Sequence, residues 1–257
     1  MTPGPIQNYQ PTETTLASRI VLITGAAGGL GSSIARAASV QGVELILLDK
    51  NERGLNALHD EIEANTGKQP GLYPLDLAGA SADDYARLAD TLHDVYGHVT
   101  GLVHCAANLG QIAPLTSIDT KLWLTTFSVN LHGPMLLTQS LLPLLKASGK
   151  GSVIFTVDEK CKAYWGSYGI SKAAISAMST TLADELDADK NADNTFPVTC
   201  NAINPGKMRT SLRSSAFPGE DPSTLPDPAS KAAAYLYLLS SEARNSNGHS
   251  FSLDSLL

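Results

Sequence analysis

Short apolar segments alternate with longer amphipathic segments along most of the chain, and the two patterns predict strands and helices respectively. The apolar segments predict strands at Arg19–Thr24, Val43–Leu48, Gly71–Leu75, Val99–Cys105, Ser152–Val157, Val198–Ile203 and Ser250–Leu253. The amphipathic segments predict helices at Gly31–Gln41, Glu52–Asn65, Ala82–Tyr96, Lys121–Ala147, Trp165–Ala188 and Ala229–Ser241. Regular alternation of the two elements is typical of βαβ units.

The predicted strands are continuous apolar runs, whereas strands with one solvated face alternate apolar and polar residues. Helices should therefore cover both faces of a single sheet. Strand–helix–strand order gives parallel pairing with right-handed crossovers. We predict a doubly wound α/β fold with a mostly parallel, seven-stranded sheet, whose ligand binds beyond the carboxyl ends of the strands.

The domain organisation follows from length and loop composition. The chain has 257 residues, 43% of them hydrophobic, which is enough apolar material for one buried core. We predict a single domain at residues 19–257, preceded by an arm at residues 1–18 that is flexible or lies along the surface. The Pro- and Ser-rich loop at about 207–228 is expected to be a mobile lid over the ligand.

Charge and cysteine content narrow the range of partners. The formal net charge is −7 and no run of basic residues occurs, which argues against a nucleic-acid partner. The three cysteines, Cys105, Cys161 and Cys200, are irregularly spaced, and this suits a reducing compartment. The sequence shows neither a signal-peptide pattern nor an apolar run of ~20 residues, so we expect a cytoplasmic protein without a membrane partner.

A glycine-rich turn, TGAAGGLG at residues 24–31, follows the first predicted strand and opens the first helix. Glycines let the backbone turn tightly and approach a pyrophosphate, and the helix N-terminus offers unpaired N–H groups and a positive dipole end. A glycine cluster alone is a weak signal, since turns use glycine anyway. Its position at a strand-to-helix junction favours a dinucleotide site.

Asp49, at the end of the second strand, bears on which dinucleotide is bound. A carboxylate there can accept hydrogen bonds from the ribose hydroxyls of adenosine and repels a 2′-phosphate. Gly28 adds no positive charge within the turn, whereas Lys50 could welcome that phosphate. We therefore expect NAD, with NADP as the alternative. Asp76, after the third strand, either hydrogen-bonds the adenine or caps the next turn.

Tyr168 and Lys172 stand four residues apart near the start of a long helix, on one helical face. A nearby ammonium favours the phenolate of a tyrosine. Such a pair can exchange a proton with a carbonyl or alcohol oxygen while a nicotinamide carries the hydride. The alternative is an aromatic core residue with a lysine that reaches past it to solvent.

In these motifs the chain resembles the short-chain dehydrogenase/reductase family, from about Ser18 to Leu253. Further matches are Asn130 within Val-Asn-Leu and the Asn-Pro-Gly sequence at residues 204–206, followed by Thr210. The segments Tyr-Gln-Pro at 9–11, Ala-Tyr-Trp-Gly at 163–166 and Ser-Ala-Phe-Pro at 215–218 resemble a bacterial branch of undefined substrate. The fold implied is the Rossmann type.

The resemblance implies roles for individual residues. Tyr168 would be the acid/base, Lys172 would tune it and bind the nicotinamide ribose, and Asn130 would hold a water in a proton relay to Lys172. The residues implied in cofactor binding are Gly25, Ala27, Gly29, Leu30, Gly31, Asp49, Asp76, Leu77, Ala106, Lys172, Pro205, Gly206 and Thr210. The other interpretations are that Asn130 kinks a long helix and that Thr210 caps one.

Two positions depart from the family pattern. The fourth strand ends in His-Cys-Ala-Ala at residues 104–107 instead of Asn-Asn-Ala-Gly, and Asp158 stands where the family has a substrate-orienting Ser. An ionised Asp158 accepts hydrogen bonds but donates none, and it would oppose a phenolate at Tyr168 if close. A protonated Asp158, Thr156 or Ser167 could supply the missing hydroxyl, and Asp158 could also belong to a solvated loop.

Two functional hypotheses follow. The first is an NAD(P)-dependent oxidoreductase that interconverts an alcohol and a carbonyl, with Tyr168, Lys172, Asn130 and Asp158 as its catalytic residues. The second is a dinucleotide-binding regulatory or scaffold protein with weakened or lost catalysis. The histidines sit without paired ligands, so no metal is expected. The resemblance also implies a homodimer or homotetramer built on the two long helices.

Overall fold

The structure, a computed structural model, describes residues 6, 8–12, 16, 18–192 and 195–253. The strands are β1 (Ile20–Thr24), β2 (Glu44–Asp49), β3 (Gly71–Pro74), β4 (Gly101–His104), β5 (Gly151–Thr156), β6 (Val198–Asn204) and β7 (Ser250–Ser252). They form one sheet in the order β3-β2-β1-β4-β5-β6-β7, and every pairing in it is parallel. The predicted doubly wound, seven-stranded α/β sheet is confirmed.

The α-helices are α1 (Gly29–Val40), α2 (Glu52–Thr66), α3 (Ala82–Tyr96), α4 (Thr120–Phe127), α5 (Gly133–Ala147), α6 (Gly166–Asp187), α7 (Ser211–Ala216) and α8 (Ala232–Leu239). They divide the core into two layers, one on each face of the sheet. Because side chains alternate along a strand, Val21 and Ile23 enter one layer with α1, α2 and α8, whereas Leu22 enters the other with α3, α5 and α6. The sheet is therefore covered on both faces.

Local sequence signals account for the ends of several helices. Ser81 caps α3, and its hydroxyl accepts from the N–H of Asp84 while the Asp84 carboxylate accepts from the N–H of Ser81. Gly67 and Gly97 end α2 and α3 in the left-handed conformation that glycine adopts most easily. These ends lie close to the predicted boundaries.

The single helix predicted at Lys121–Ala147 is wrong, because the segment is divided by a π-helical turn at Ser128–His132. The N–H of Gly133 bonds the carbonyl of Ser128, five residues back. Pro134 follows and has no N–H, so the α-helical bond to the carbonyl of Asn130 cannot form. The proline thus explains the break, and Asn130 lies within the π turn.

The C-terminal part also departs from the prediction. The helix predicted at Ala229–Ser241 is shorter, because 3-10 turns at Pro228–Lys231 and Ser241–Ala243 flank α8. The loop before it contains α7, which begins where the Thr210 hydroxyl accepts from the N–H of Arg213 at 3.2 Å. Thr210 is therefore a helix cap, which was one of its two interpretations.

Three side chains of the N-terminal arm, Ile6, Tyr9 and Leu16, are buried against the layer that contains α8. The Tyr9 hydroxyl donates to the Glu242 carboxylate at 3.0 Å, and its ring lies edge-on to Tyr237 with centroids 5.4 Å apart. The described part of the arm is thus packed onto the domain. None of the helices that the structure describes is long and apolar enough to cross a bilayer.

Candidate active site

A pocket of about 340 Å³ opens at the carboxyl ends of the strands, between the glycine-rich turn and the loop before α8. This is the edge where chains of this topology hold ligands, because the strand order reverses between β1 and β4. All residues predicted to bind a cofactor line this pocket except Ala27. Of the predicted catalytic residues, Tyr168, Lys172 and Asp158 line it and Asn130 does not.

Two glycines of the glycine-rich turn, Gly25 and Gly31, have no room for a side chain. Gly25 has φ +66°, and a Cβ on it would lie 2.7 Å from the backbone of Ala106. A Cβ on Gly31 would lie 2.3 Å from the carbonyl oxygen of Gly25. The turn is consequently a cradle of bare backbone that ends at the N-terminus of α1, where unpaired N–H groups suit a pyrophosphate.

Asp49 lies in the pocket at the end of β2, and its carboxylate already accepts two backbone hydrogen bonds. Its oxygens accept from the N–H of Ala27 at 3.1 Å and from the N–H of Asn51 at 2.9 Å. The cofactor-binding role predicted for Ala27 is therefore not supported by the geometry, because its N–H is directed at Asp49 and it does not line the pocket. The exposed Lys50 stands beside Asp49 at the same edge.

Asp76 caps the turn after β3, which was one of its two interpretations. Its carboxylate accepts from the N–H of Ala78 at 3.0 Å and so stabilises the turn after β3, while the residue also lines the pocket. Leu77, Ala106, Pro205, Gly206 and Thr210 line the same pocket. The groups predicted for the adenosine end and the nicotinamide end thus share one continuous cavity.

Tyr168 and Asp158 are in direct contact at the inner end of the pocket. The Tyr168 hydroxyl donates to Oδ2 of Asp158 at 3.0 Å. Tyr168 is 4% exposed, whereas Asp158 is half-buried. Burial of the phenol, reinforced by the charge of Asp158, raises the pKa of Tyr168 well above its ordinary value. Burial and Asp158 together outweigh the lowering of the Tyr168 pKa that was expected from Lys172. The sequence predicts this effect, since a nearby Asp158 would oppose a phenolate.

Lys172 lies behind Tyr168, with its Nζ 5.9 Å from the centre of the phenol ring. The ammonium donates to the carbonyl oxygen of Thr156 at 2.8 Å. Burial lowers the pKa of Lys172 to about 8, and the negative charge of Asp158 acts in the opposite direction. The amine can therefore gain or lose a proton near neutral pH.

The side chain of Asn130 connects the π turn to the loop that follows β4 and to α6. Its Nδ2 donates to the carbonyl of Asn108 and to the Ser171 hydroxyl, both at 2.9 Å, and its Oδ1 accepts from the N–H of Asn108 at 2.7 Å. The side chain is thus a buried brace between three segments. Asn108, which lines the pocket, was missed by the sequence reasoning because its partner is 22 residues away.

Two other hydroxyls were candidates for the place of the missing Ser. The Thr156 hydroxyl lies 3.0 Å from the hydroxyl of Tyr235, which is part of the core. Ser167 is buried, lies against Gly110 and does not line the pocket. Asp158 is accordingly the candidate whose side chain contacts Tyr168.

An aromatic wall, formed by Trp165, Tyr168 and Phe217, closes the pocket beside Asp158. The Trp165 ring centroid lies 5.7 Å from those of Tyr168 and Phe217. Trp165 is half-buried and lines the pocket. The Arg213 guanidinium stacks 3.8 Å from the centre of the Phe217 ring and is bound by both carboxylate oxygens of Glu220, at 2.6 and 2.7 Å.

His104 supports the sheet and does not line the pocket. Its Nε2 lies 2.9 Å from the Thr138 hydroxyl, its ring stacks on Phe155, and burial lowers its pKa to about 3. Among the described residues, His59, Asp60 and Glu63 on α2 have ligand atoms within 4.8 Å of one another. Asp60 is exposed and the other two are partly buried; all three stand outside the pocket, so they are no part of the candidate active site.

Comparison with known proteins identifies the family of this chain. A family model for short chain dehydrogenases matches residues 19–221. Uncharacterized oxidoreductase YciK of Escherichia coli K12 is 36% identical over 247 residues, which cover 95% of each chain. The chain therefore belongs to the short-chain dehydrogenase family of oxidoreductases.

Two solved structures are similar over nearly the whole chain. A short chain dehydrogenase from Shigella flexneri 2a, complexed with NADP, is 35% identical with a TM-score of 0.87 and covers 94% of this chain and 99% of its own. One from Escherichia coli CFT073, complexed with NADPH, is 36% identical with a TM-score of 0.88 and the same coverage. Both comparisons support a nicotinamide dinucleotide as the cofactor type.

Proposed function

We propose that this protein catalyses the NAD(P)-dependent interconversion of an alcohol and a carbonyl by hydride transfer. The observation that supports this most directly is that a single pocket joins the bare glycine turn to Tyr168, with Lys172 behind the phenol. A dinucleotide is long enough to occupy both ends of such a pocket. The turn at Gly25, where a Cβ would collide with the Ala106 backbone, leads into the N-terminus of α1 and suits the pyrophosphate of the dinucleotide.

The chain's own residues would bind, orient and exchange a proton. A bound nicotinamide supplies or accepts the hydride. Tyr168 would give its phenol proton to a carbonyl oxygen, or accept the proton of an alcohol in the reverse direction. Lys172, held by the Thr156 carbonyl, would bind the nicotinamide ribose and stabilise the phenolate. Asn130 would support the proton relay by bracing the loop at Asn108.

The choice between NAD and NADP depends on the residues around the adenosine ribose, because NADP carries a phosphate on that ribose. We propose NAD as the preferred cofactor, because the half-buried Asp49 carboxylate would repel a 2′-phosphate. NADP is the second candidate, since the two similar solved structures contain NADP and NADPH and since Lys50 stands next to Asp49. The outcome is measurable as the ratio of the two dissociation constants.

We also propose that the protein forms a homodimer or homotetramer through α4, α5 and α6. Leu122 and Leu124 on α4, Met135 on α5 and Ile170 on α6 are 36–60% exposed, although each is a large apolar side chain. Apolar side chains exposed along neighbouring helices indicate an interface. Light scattering should give a multimer that Ile170→Arg dissociates, and a monomeric wild type would contradict this proposal.

The central test combines binding and turnover. Calorimetry should detect NADH or NADPH binding, and a panel of ketones and aldehydes should show oxidation of the bound nucleotide by loss of its absorbance at 340 nm. Tyr168→Phe should retain binding and lose turnover by about a hundredfold or more. Tyr164→Phe is the matched control, because Tyr164 is 62% exposed and does not line the pocket. Binding without turnover of any carbonyl would contradict the proposed function.

A further inference from the structure

The hydrogen bond between Tyr168 and Asp158 restricts the substrate. Within the described part of the chain, the Asp158 carboxylate accepts only from the Tyr168 hydroxyl. Lys172, the nearest buried cation, directs its ammonium at the carbonyl of Thr156 instead. Asp158 is therefore a half-buried acceptor that lines the pocket, and the Tyr168 hydroxyl is the one described donor to its carboxylate.

The Tyr168 hydroxyl, which is that donor, is needed at the substrate during the reaction. To protonate a carbonyl oxygen, the Tyr168 hydroxyl must point at the substrate, and one O–H hydrogen cannot serve two acceptors fully. The Asp158 carboxylate then loses its partner in a site that bound substrate and dinucleotide shield from water. A half-buried carboxylate without a hydrogen bond is costly, so a substrate that brings a replacement donor is favoured.

We propose, on the basis of the function proposed above, that the substrate is an α-hydroxy carbonyl compound, or a vicinal diol in the reverse direction. The carbonyl oxygen would accept from Tyr168, and the hydroxyl on the adjacent carbon would donate to Asp158. The two protein oxygens are 3.0 Å apart, which matches the spacing of oxygens on neighbouring carbons.

The pocket wall beside Asp158 suits the carbon skeleton of a hydroxylated compound. The Trp165 and Phe217 rings, 5.7 Å apart, offer apolar faces to the carbon skeleton. Arg213, the guanidinium at this end of the pocket, is bound by Glu220 and stacked on Phe217. It is thus already engaged and unsuited to binding a substrate carboxylate.

The reduced dinucleotide is the reductant in the conversion of the α-hydroxy carbonyl compound to the vicinal diol. A C–H bond forms at the carbonyl carbon with the hydride that leaves the dihydronicotinamide, which is oxidised. The O–H bond of Tyr168 breaks as its proton passes to the carbonyl oxygen, giving the vicinal diol. The phenolate regains a proton from solvent.

Matched pairs of small carbonyl compounds test the proposal. Acetoin is compared with 2-butanone, and 2-hydroxyacetophenone with acetophenone, by loss of reduced dinucleotide absorbance under identical conditions. Wild-type kcat/KM should favour the hydroxylated member of each pair by about 10- to 100-fold, the range for a hydrogen bond to a charged group. Asp158→Ser should lower this preference to within about threefold, chiefly by improving the plain ketones.

Asp158→Asn and Asp60→Asn complete the experiment. The amide of Asp158→Asn can donate as well as accept, so this variant should also accept plain ketones, whereas the exposed Asp60 should have no effect on the ratio. A wild type that reduces both members of each pair equally, or only the plain ketones, would overturn the substrate class while leaving the proposed function intact. Dinucleotide binding without reduction of any of the four compounds, or of any other carbonyl, would overturn both.

Discussion

The hydroxyl of Tyr168 and the carboxylate of Asp158 are joined by a hydrogen bond of 3.0 Å, between a buried phenol and a half-buried acid. The contact stabilises the protonated phenol, because a phenolate would face a like charge at the same distance. The position usually held by a neutral hydroxyl in this family therefore has a direct electrostatic effect on the proton donor. Because this effect changes the pKa of Tyr168, it can be measured through the pH dependence of catalysis.

The raised pKa of Tyr168 predicts the pH profile of catalysis. Alcohol oxidation requires the phenolate, so its kcat/KM should still rise at pH 9 to 10 without a plateau, whereas carbonyl reduction should change little there. Asp158→Asn removes the like charge and should move the profile for oxidation to lower pH. Tyrosinate absorbance at 295 nm, with the titration of Tyr168→Phe subtracted, measures the pKa of Tyr168 without a substrate. Equal titration midpoints for Tyr168 in wild type and in Asp158→Asn would refute the prediction.

The lowered pKa of Lys172, about 8, predicts a pH effect on stability. Between about pH 8 and pH 10 the unfolded chain binds more protons at this lysine than the folded chain, so the free energy of unfolding should rise with pH. Lys172→Met removes the contribution. Urea unfolding should show wild type gaining stability relative to Lys172→Met across this window. A constant difference would mean that the ammonium keeps its ordinary pKa.

Gly25 should be the most sensitive position for dinucleotide binding. Gly25→Ala combines a φ of +66° with a Cβ 2.7 Å from the Ala106 backbone, and the cradle must open to accept it. We expect NADH affinity, measured by calorimetry, to fall by more than about tenfold, since the N–H groups of the turn are displaced. Gly67→Ala is the matched control, because Gly67 has φ +70° and nothing within 4 Å of the added Cβ. Equal losses in both variants would show that backbone strain alone is responsible.

Asp49→Asn tests the choice of cofactor. The amide keeps an oxygen for the N–H of Ala27 but removes the charge that would repel a 2′-phosphate. The ratio of NADPH to NADH affinity should rise by about tenfold, and Lys50→Ala should lower that ratio. Calorimetric titration with each nucleotide gives both values. If Asp49→Asn leaves the ratio unchanged, the carboxylate does not face the ribose.

The sheet, its covering helices and the glycine turn could be predicted from sequence because each depends on local patterns. Continuous apolar strands, the Gly25 turn and the Tyr168/Lys172 spacing are all readable within a few residues. The π turn at Ser128–His132 was not predicted, since its cause lies in how Pro134 ends a helical hydrogen-bond pattern that is otherwise continuous. Hydrophobic periodicity does not report such a break.

Two features of the site depend on contacts between residues far apart in the sequence. Only the fold brings Trp165 beside Phe217, 52 residues later in the chain. Ala27 lies in the glycine turn like its neighbours, and only the structure shows its N–H directed at Asp49. The orientation of a backbone N–H within a turn is not encoded in residue type alone.

The π turn also means that the length of one segment matters as much as its composition. A π-helical turn holds one residue more than an α-helical turn, so α4 and α5 are offset by that residue. Deleting one residue from 128–132 other than Asn130 would remove the extra residue of the π turn and rotate everything after it by about 100°. The Asn130 brace to Asn108 and Ser171 would then be out of register, although every catalytic side chain would still be present.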